Sequence, residues 1–223
     1  MIDLQPFWLT FKLAIITTII LFIIAVPLAY WIAYSRMRYK AIVEAIVSLP
    51  LILPPSVLGF YLLIAFSPEN SFGIFLNKYF NIRLVFTFEG LVVASVLYSL
   101  PFMVNPILSG LKNLPASLQE ASFTLGKSKL TTLIKIILPN IRTSLLTGII
   151  MTFAHTVGEF GVVLMVGGSI PKETKVVSIA IYDEVESMNY HNANIYALIL
   201  FVFAFLILIT VHIINNNSKT RLY

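Results

Sequence analysis

Few side chains in this sequence could do chemistry alone. Glu159 is the single acid inside a long apolar run, and His155 precedes it by one helical turn. An imidazole and a carboxylate at i, i+4 share a helix face. A metal site needs a third ligand at useful spacing, and none is present. Gly126-Lys127-Ser128 ends like a phosphate-binding loop, but that motif requires a glycine five residues before the Gly-Lys pair, where this chain has Ala121. No buried strand precedes it either. There is no cysteine, which excludes disulfides, cysteine-ligated zinc and a thiol nucleophile. No Ser/His/Asp or two-carboxylate arrangement stands out. The expectation is a chain with no catalytic residues, no metal and no cofactor of its own. Any ATP chemistry would have to come from a partner.

The elements that position these residues follow from composition. The 223 residues are 58% apolar and 11% charged, against about 45–50% and 25% in a soluble domain. Long apolar runs cover 13–34, 45–66, 90–109, 145–166 and 195–214, free of lysine, arginine and acids apart from Glu159 in the fourth. Each is near the roughly 20 residues that cross a hydrocarbon core. In lipid such runs must be helical, and they lack the alternation of barrel strands. The expectation is an all-α, polytopic integral membrane helix bundle, one domain over 7–214 with five spans. Val176–Tyr182 is too short for a sixth. The first run is too long for a signal peptide and has no basic segment before it.

Charge sets the topology. Arg36, Arg38, Lys40, Lys112, Lys127, Lys129, Lys135, Arg142, Lys219 and Arg221 fall in segments on one side. The other side holds Lys12, Lys78, Arg83, Lys172 and Lys175 with most of the acids, among them Asp3, Glu69, Glu89, Glu173, Asp183, Glu184 and Glu186. The positive-inside rule then places the N-terminus outside and the C-terminus inside a multi-pass cell membrane protein.

Inside the spans, Pro54-Pro55 removes two backbone donors and pushes Leu53 away from helix geometry. The second span should therefore be kinked or unwound there. The break reads either as a bend or gate beside a translocation path or as a packing kink. Ser95 and Ser99 share a face of the third span. Gly148, Thr152, His155 and Glu159 form one small and polar stripe on the fourth. Such stripes point into the bundle, either to pack helices or to line a weakly polar conduit. Glu159 is rare enough inside a span to need an account. It is expected to hydrogen-bond a neighbour or bridge helices, between Gly158 and Gly161.

The loop 112–142 is the most informative stretch. Pro115 suits the first turn of a helix, and Ser117 and Glu120 have capping-box spacing. Leu118, Ala121, Ser122 and Leu125 fall on one face, and Gly126 suits a left-handed stop. A second short helix follows, with Leu130, Leu133, Ile134 and Ile137 opposite Lys127, Lys129 and Lys135, ended by Pro139. Physics alone is content with a helix pair lying on anionic lipid.

The spacing is more specific. Glu120-Ala121-Ser122, three residues, Gly126, nine residues, then Ile136-x-Leu138-Pro139 resembles the EAA loop of ABC-importer permeases at every interval. The one departure is Ser122, where the motif usually has alanine. The stretches 49–63 (LPLILPPSVLGFYLL) and 158–171 (GEFGVVLMVGGSIP) resemble the molybdate-permease (ModB-type) family, with tungstate and sulfate permeases as near relatives. The likeness runs over almost the whole chain.

That resemblance implies a MetI-like type I permease fold. Glu120, Ala121, Ser122, Gly126, Leu138 and Pro139 would couple to an ATPase. Glu120 serves either docking or the helix dipole. It further implies a homodimer in the bilayer, two ATP-binding cassette subunits on the cytoplasmic side, and an extracytoplasmic molybdate-binding protein. No nucleic acid is expected. Pro54, Pro55, Ser95, Ser99 and Thr152 are candidates for the path or gate, with Gly158, Glu159 and Gly161 supporting it. No basic residue lies in the core of any span, so the chain looks built to pass an oxyanion without holding it. A channel or secondary anion transporter is the alternative of a different class, and the EAA spacing argues against it.

Overall fold

The computed structural model describes residues 2–35 and 38–219, the last ten as backbone only. Arg36 and Arg221, two of the cations used for topology, lie outside the described residues. The long helix α1 covers Gln5–Tyr34. Then α2 (Lys40–Ser48) runs through a 3-10 turn at Leu49–Leu51 towards α3 (Pro55–Phe66) and α4 (Ser71–Phe80). A second long helix, α5, covers Phe88–Lys112. The loop beyond it holds α6 (Ala116–Thr124), α7 (Lys129–Thr132), a π-turn at Leu133–Ile137 and α8 (Leu138–Asn140). After it come α9 (Arg142–Val157), α10 (Gly161–Gly167), α11 (Val177–Glu186) and α12 (Tyr190–Lys219). The described residues are helical with no strand.

Helices α1, α5 and α9 form the centre. On α1, Leu13, Thr17, Leu21, Ala25, Ala29 and Ile32 are fully or almost fully buried at three- to four-residue spacing. That is one stripe of a 3.6-residue helix. It meets Met103, Val104, Ile107 and Leu111 of α5 in the main apolar cluster. A second cluster joins Leu9 and Leu13 to Leu91, Val163 and Ile179. The opposite face of α1 exposes Ile15, Ile19 and Ile23, as a lipid-facing surface does. Three helices, Gln5–Tyr34, Phe88–Lys112 and Tyr190–Ile209, are long and apolar enough to cross a membrane, and up to five spans result if each of two bent pairs counts as one.

The bent pairs refine the sequence reading. The run 45–66 is broken as the two prolines require. The pieces Lys40–Leu51 and Pro55–Phe66 meet at 106°. The run 145–166 is not one span. It stops at Val157 and restarts at Gly161, where two glycines flank a polar residue and lower the helix preference. The second bent pair instead joins Lys129–Asn140 to Arg142–Val157 at 77°.

Pro139 does not end the loop's second helix. The proline cannot donate a backbone hydrogen bond and its ring would strike the Lys135 carbonyl of a regular α-helix. The helix widens into the π-turn, where the Leu138 N–H bonds the Leu133 carbonyl, and continues to Asn140. Pro115 sits at the N-cap of α6 rather than inside its first turn, and the Ser117–Glu120 capping box does not form. The stop at Gly126 forms as expected, with φ +72°. Gly126 N–H bonds Phe123 C=O at 2.9 Å and Lys127 N–H bonds Ser122 C=O at 3.1 Å, a Schellman closure.

The long-range contacts separate two ends of the bundle. At one end the Thr10 hydroxyl accepts from Val177 N–H (2.9 Å), and the Tyr196 phenol donates to Asp3 C=O (2.9 Å). Lys12 also lies over the Phe88 ring there, at 4.2 Å. At the other end Lys112 pairs with Glu44 (2.9 Å), and the Gln119 amide donates to the Tyr30 phenol (3.3 Å). Helix α11 belongs to the first end and the loop 112–142 to the second.

Candidate functional site

Two broken helices meet. Helix α3 begins at Pro55 and α10 at Gly161, and a Cβ on Gly161 would lie 2.8 Å from the Pro55 Cβ. The pair stays close one turn on, where a Cβ on Gly59 would lie 2.8 Å from Met165 Cβ and 3.2 Å from Val162 Cα. Only glycine permits such an approach. Around the two breaks lies a cavity of about 600 Å³, lined by Pro55, Ser56, Tyr98, Ala154, His155, Gly158, Glu159, Phe160 and Gly161. Ser56, Tyr98, His155 and Glu159 are its polar side chains, and among the described residues no lysine or arginine lines it.

One wall is a hydrogen-bonded seam between α5 and α9. Ser99 Oγ is 2.9 Å from His155 Nδ1 and 3.1 Å from Thr156 Oγ1. The Thr156 hydroxyl donates in turn to Thr152 C=O at 3.0 Å. The His155 ring stacks on Phe102 (3.9 Å between centroids) and lies against Tyr98 (4.7 Å). These contacts fix the imidazole as part of a wall rather than as a metal ligand. No group of three metal-ligating side chains occurs among the described residues.

Of the residues singled out from sequence, the structure gathers Pro55, Gly158, Glu159 and Gly161 at the cavity. Pro54 is the N-cap of α3 beside it. Ser99 is fully buried within the wall itself, and Ser95 and Thr152 are fully buried as well. Glu159 is 4% exposed, and its carboxyl faces the Ser95 hydroxyl of α5 without closing a full hydrogen bond. The firmer bond between elements comes from its backbone, where the Ser178 hydroxyl donates to Glu159 C=O at 2.6 Å. The carbonyl is free to accept because the helix is interrupted there.

Sequence reasoning missed Ser56, Tyr98 and Phe160. Ser56 was signalled by its place just after Pro54-Pro55, and Tyr98 by lying one turn from Ser95.

In the loop 112–142, Glu120, Ala121, Phe123 and Leu125 are exposed while Ser122 is 2% exposed. The Ser122 hydroxyl meets Thr132 Oγ1 at 2.7 Å, which joins α6 to α7. The departure from alanine thus has a buried partner. The side chain of Ser128, part of the false phosphate motif, accepts from Thr131 N–H at 3.2 Å as the N-cap of α7. Leu125, Leu130 and Ile134 leave an apolar surface open, with Leu125 76% exposed.

Comparisons with known proteins agree with this geometry. A family model described as "Binding-protein-dependent transport system inner membrane component" matches residues 25–222. The molybdenum transport system permease protein ModB of Azotobacter vinelandii is 43% identical over 94% of this chain and 93% of that protein. A probable sulfate transport system permease protein, cysT, of Helicosporidium is 34% identical over 96% and 79%. Among solved structures, a chain of the MetNI methionine ABC transporter in inward-facing conformations matches with a TM-score of 0.72 at 18% identity. It covers 95% of this chain and 93% of its own length. An all-helical bundle with this fold, matched by the family model over nearly its whole length, belongs to the family of binding-protein-dependent inner-membrane components, the permeases of ABC importers.

Proposed function

We propose that this chain is the membrane-spanning half of an importer for molybdate, working as a homodimer by alternating access. Two ATP-binding cassette subunits would dock on the loop 112–142 from the cytoplasm. A molybdate-loaded binding protein would dock at the end that carries α11. The observation that carries the substrate is the 43% identity to a molybdenum permease along nearly the full length. The cavity at the two breaks is then part of the route. A lining without lysine or arginine among the described residues suits an anion that is passed on rather than held, and helix breaks give the route a place to move. In the loop, the exposed face of α6 and the apolar surface of Leu125, Leu130 and Ile134 form the docking element. Glu120, Ala121, Gly126, Leu138 and Pro139 shape that element. The N-terminus would lie outside and the C-terminus inside.

Sulfate is the second reading, favoured by relatives such as the 34% identical cysT protein. Reconstitution decides between them. The chain, its partner ATPase and its binding protein are placed in liposomes, and ATP hydrolysis is measured with molybdate, tungstate or sulfate. Stimulation by the molybdate-loaded binding protein at the lowest anion concentration supports the reading. A preference for sulfate replaces the substrate. Anion flux without any ATPase sends the chain to the channel or secondary-carrier class.

A further inference from the structure

Helix α11 is held almost entirely by other elements. It has no side-chain cap of its own. Thr10 of α1 supplies the cap, accepting Val177 N–H at 2.9 Å while donating to Pro6 C=O at 2.8 Å. The loop before α11 is closed on itself. Thr174 donates to Gly167 C=O at 2.7 Å and accepts from Ile170 N–H at 3.1 Å. Ser169 and Lys175 both reach Asp183 Oδ2 at 2.6 Å. Two bonds tie this unit to the broken helix: that of Thr174 to Gly167 C=O at the end of α10, and one from the Ser178 hydroxyl to the Glu159 carbonyl, at the interruption itself, at 2.6 Å. The Ser178 bond is partly buried and spans 19 residues. Glu159 borders the cavity, and Gly161, two residues on, touches Pro55. At its far end α11 leaves Tyr182 and Val185 exposed, with Met188 exposed just beyond it.

We propose that Ser178 is a positioning residue that links the outer docking surface to the helix break. Displacement of α11 by a docked partner is transmitted through the Ser178–Glu159 bond to the junction of α3 and α10. The link rests on the importer reading above. A free carbonyl at a helix interruption has no competing intrahelical donor, so this bond is the polar tie that, beside the Phe160–Tyr182 ring contact, holds the interruption against α11. Losing one hydrogen bond of ordinary net strength moves a two-state equilibrium roughly three- to tenfold.

The test uses the full complex in liposomes, with ATP hydrolysis measured against increasing molybdate-loaded binding protein. The wild-type complex is the control for the importer reading. If it shows no stimulation, that reading fails and the link is not at issue. With stimulation present, Ser178→Ala lowers the maximal stimulation roughly three- to tenfold. The half-saturating binding-protein concentration stays the same, and Ser178→Thr, which keeps the hydroxyl, restores the maximum. Thr10→Val loosens α11 from the α1 side while leaving the Ser178 bond. It serves as the folding and rigidity comparison, and it lowers the maximum less than Ser178→Ala. Three results overturn the proposal: unchanged stimulation in Ser178→Ala, a shift in half-saturation alone, or an equal loss in Thr10→Val.

Discussion

Gly161 packs so closely on Pro55 that a Cβ on the glycine would lie 2.8 Å from the proline Cβ. Two interrupted helices therefore touch through a glycine on one and a rigid ring on the other. Neither side can give way easily, because the proline φ is fixed. Gly161→Ala should push α10 off α3 and cost about 1–3 kcal/mol, the usual range for overpacking. Thermal unfolding of the purified chain in detergent checks the loss. Gly158→Ala is the contrast, because a Cβ there would meet nothing closer than 3.7 Å. It should cost less than Gly161→Ala.

The absence of cysteine makes the cavity directly testable. Ser56→Cys and Ala154→Cys place single thiols on its lining, whereas Ser95→Cys places one at a fully buried position. A membrane-impermeant maleimide should label at least one of the first two in reconstituted complex, with a rate that changes when nucleotide is added. It should leave the third unlabelled. Equal labelling of Ser95→Cys would show that the wall formed by Ser99 and His155 does not keep the cavity from the interior of the bundle.

That wall gives a graded pair of mutations. Ser99 Oγ has two partners, His155 Nδ1 and Thr156 Oγ1, while Ser95 Oγ is buried and faces only the Glu159 carboxyl, without a full hydrogen bond. Ser99→Ala strands the imidazole and should destabilise by about 1 kcal/mol or more. Ser95→Ala removes only the weaker contact, so it should cost less than Ser99→Ala. Paired unfolding curves of the two variants decide it, and the ordering matters more than the size.

Much of this was legible from sequence because lipid leaves a helix few choices. Long apolar runs become long helices, as at Gln5–Tyr34 and Phe88–Lys112, and adjacent prolines must break the chain at Pro54-Pro55. Gly126 was readable because a left-handed stop strongly favours glycine. The interruption at Gly158–Phe160 was hidden inside an apolar run, since glycine and one acid weaken a helix without ending it. Bonds across the chain were also out of reach. Thr10 and Val177 are 167 residues apart, and no periodicity in either segment points to the other. The carboxyl of Glu159 was expected to hydrogen-bond a neighbour or bridge helices. It faces Ser95 of α5, and the firmer bond comes from its backbone, because the break frees a carbonyl that a continuous helix would have occupied.

On the α11 surface, the Tyr182 phenol donates to Glu186 Oε1. This bond and the nearby Glu186 charge hold the phenol above its ordinary value near 10, with Asp183 adding to the shift. The neutral phenol is the form that donates, so raising pH removes the bond only above that value. Tyr182 should ionise later than a free tyrosine, and Glu186→Gln should move its titration back down. Site-selective carbon labelling of Tyr182 and an NMR pH titration would read this. No movement in the variant would mean the pair does not persist in solution.

The last prediction concerns the loop. Gly126 holds φ +72° with nothing within 4 Å of where a Cβ would stand. Space is therefore not the constraint and backbone conformation is. Gly126→Ala should cost about 1 kcal/mol, the ordinary penalty for a left-handed alanine. It should weaken the coupling of ATP hydrolysis to binding protein only in part. Gly126→Pro cannot adopt a positive φ at all. It also removes the Gly126 N–H bonded to Phe123 C=O, so the turn between α6 and α7 must reopen. Binding protein should then no longer stimulate the ATPase. Ser122→Ala provides the scale from the other side of the turn. It removes the hydroxyl contact to Thr132, yet Thr132 keeps its bond to Ser128 C=O at 2.9 Å. Its effect should be the smallest of the three. An order in which Ser122→Ala is worse than Gly126→Pro would mean that the α6–α7 seam, and not the angle set at Gly126, governs coupling.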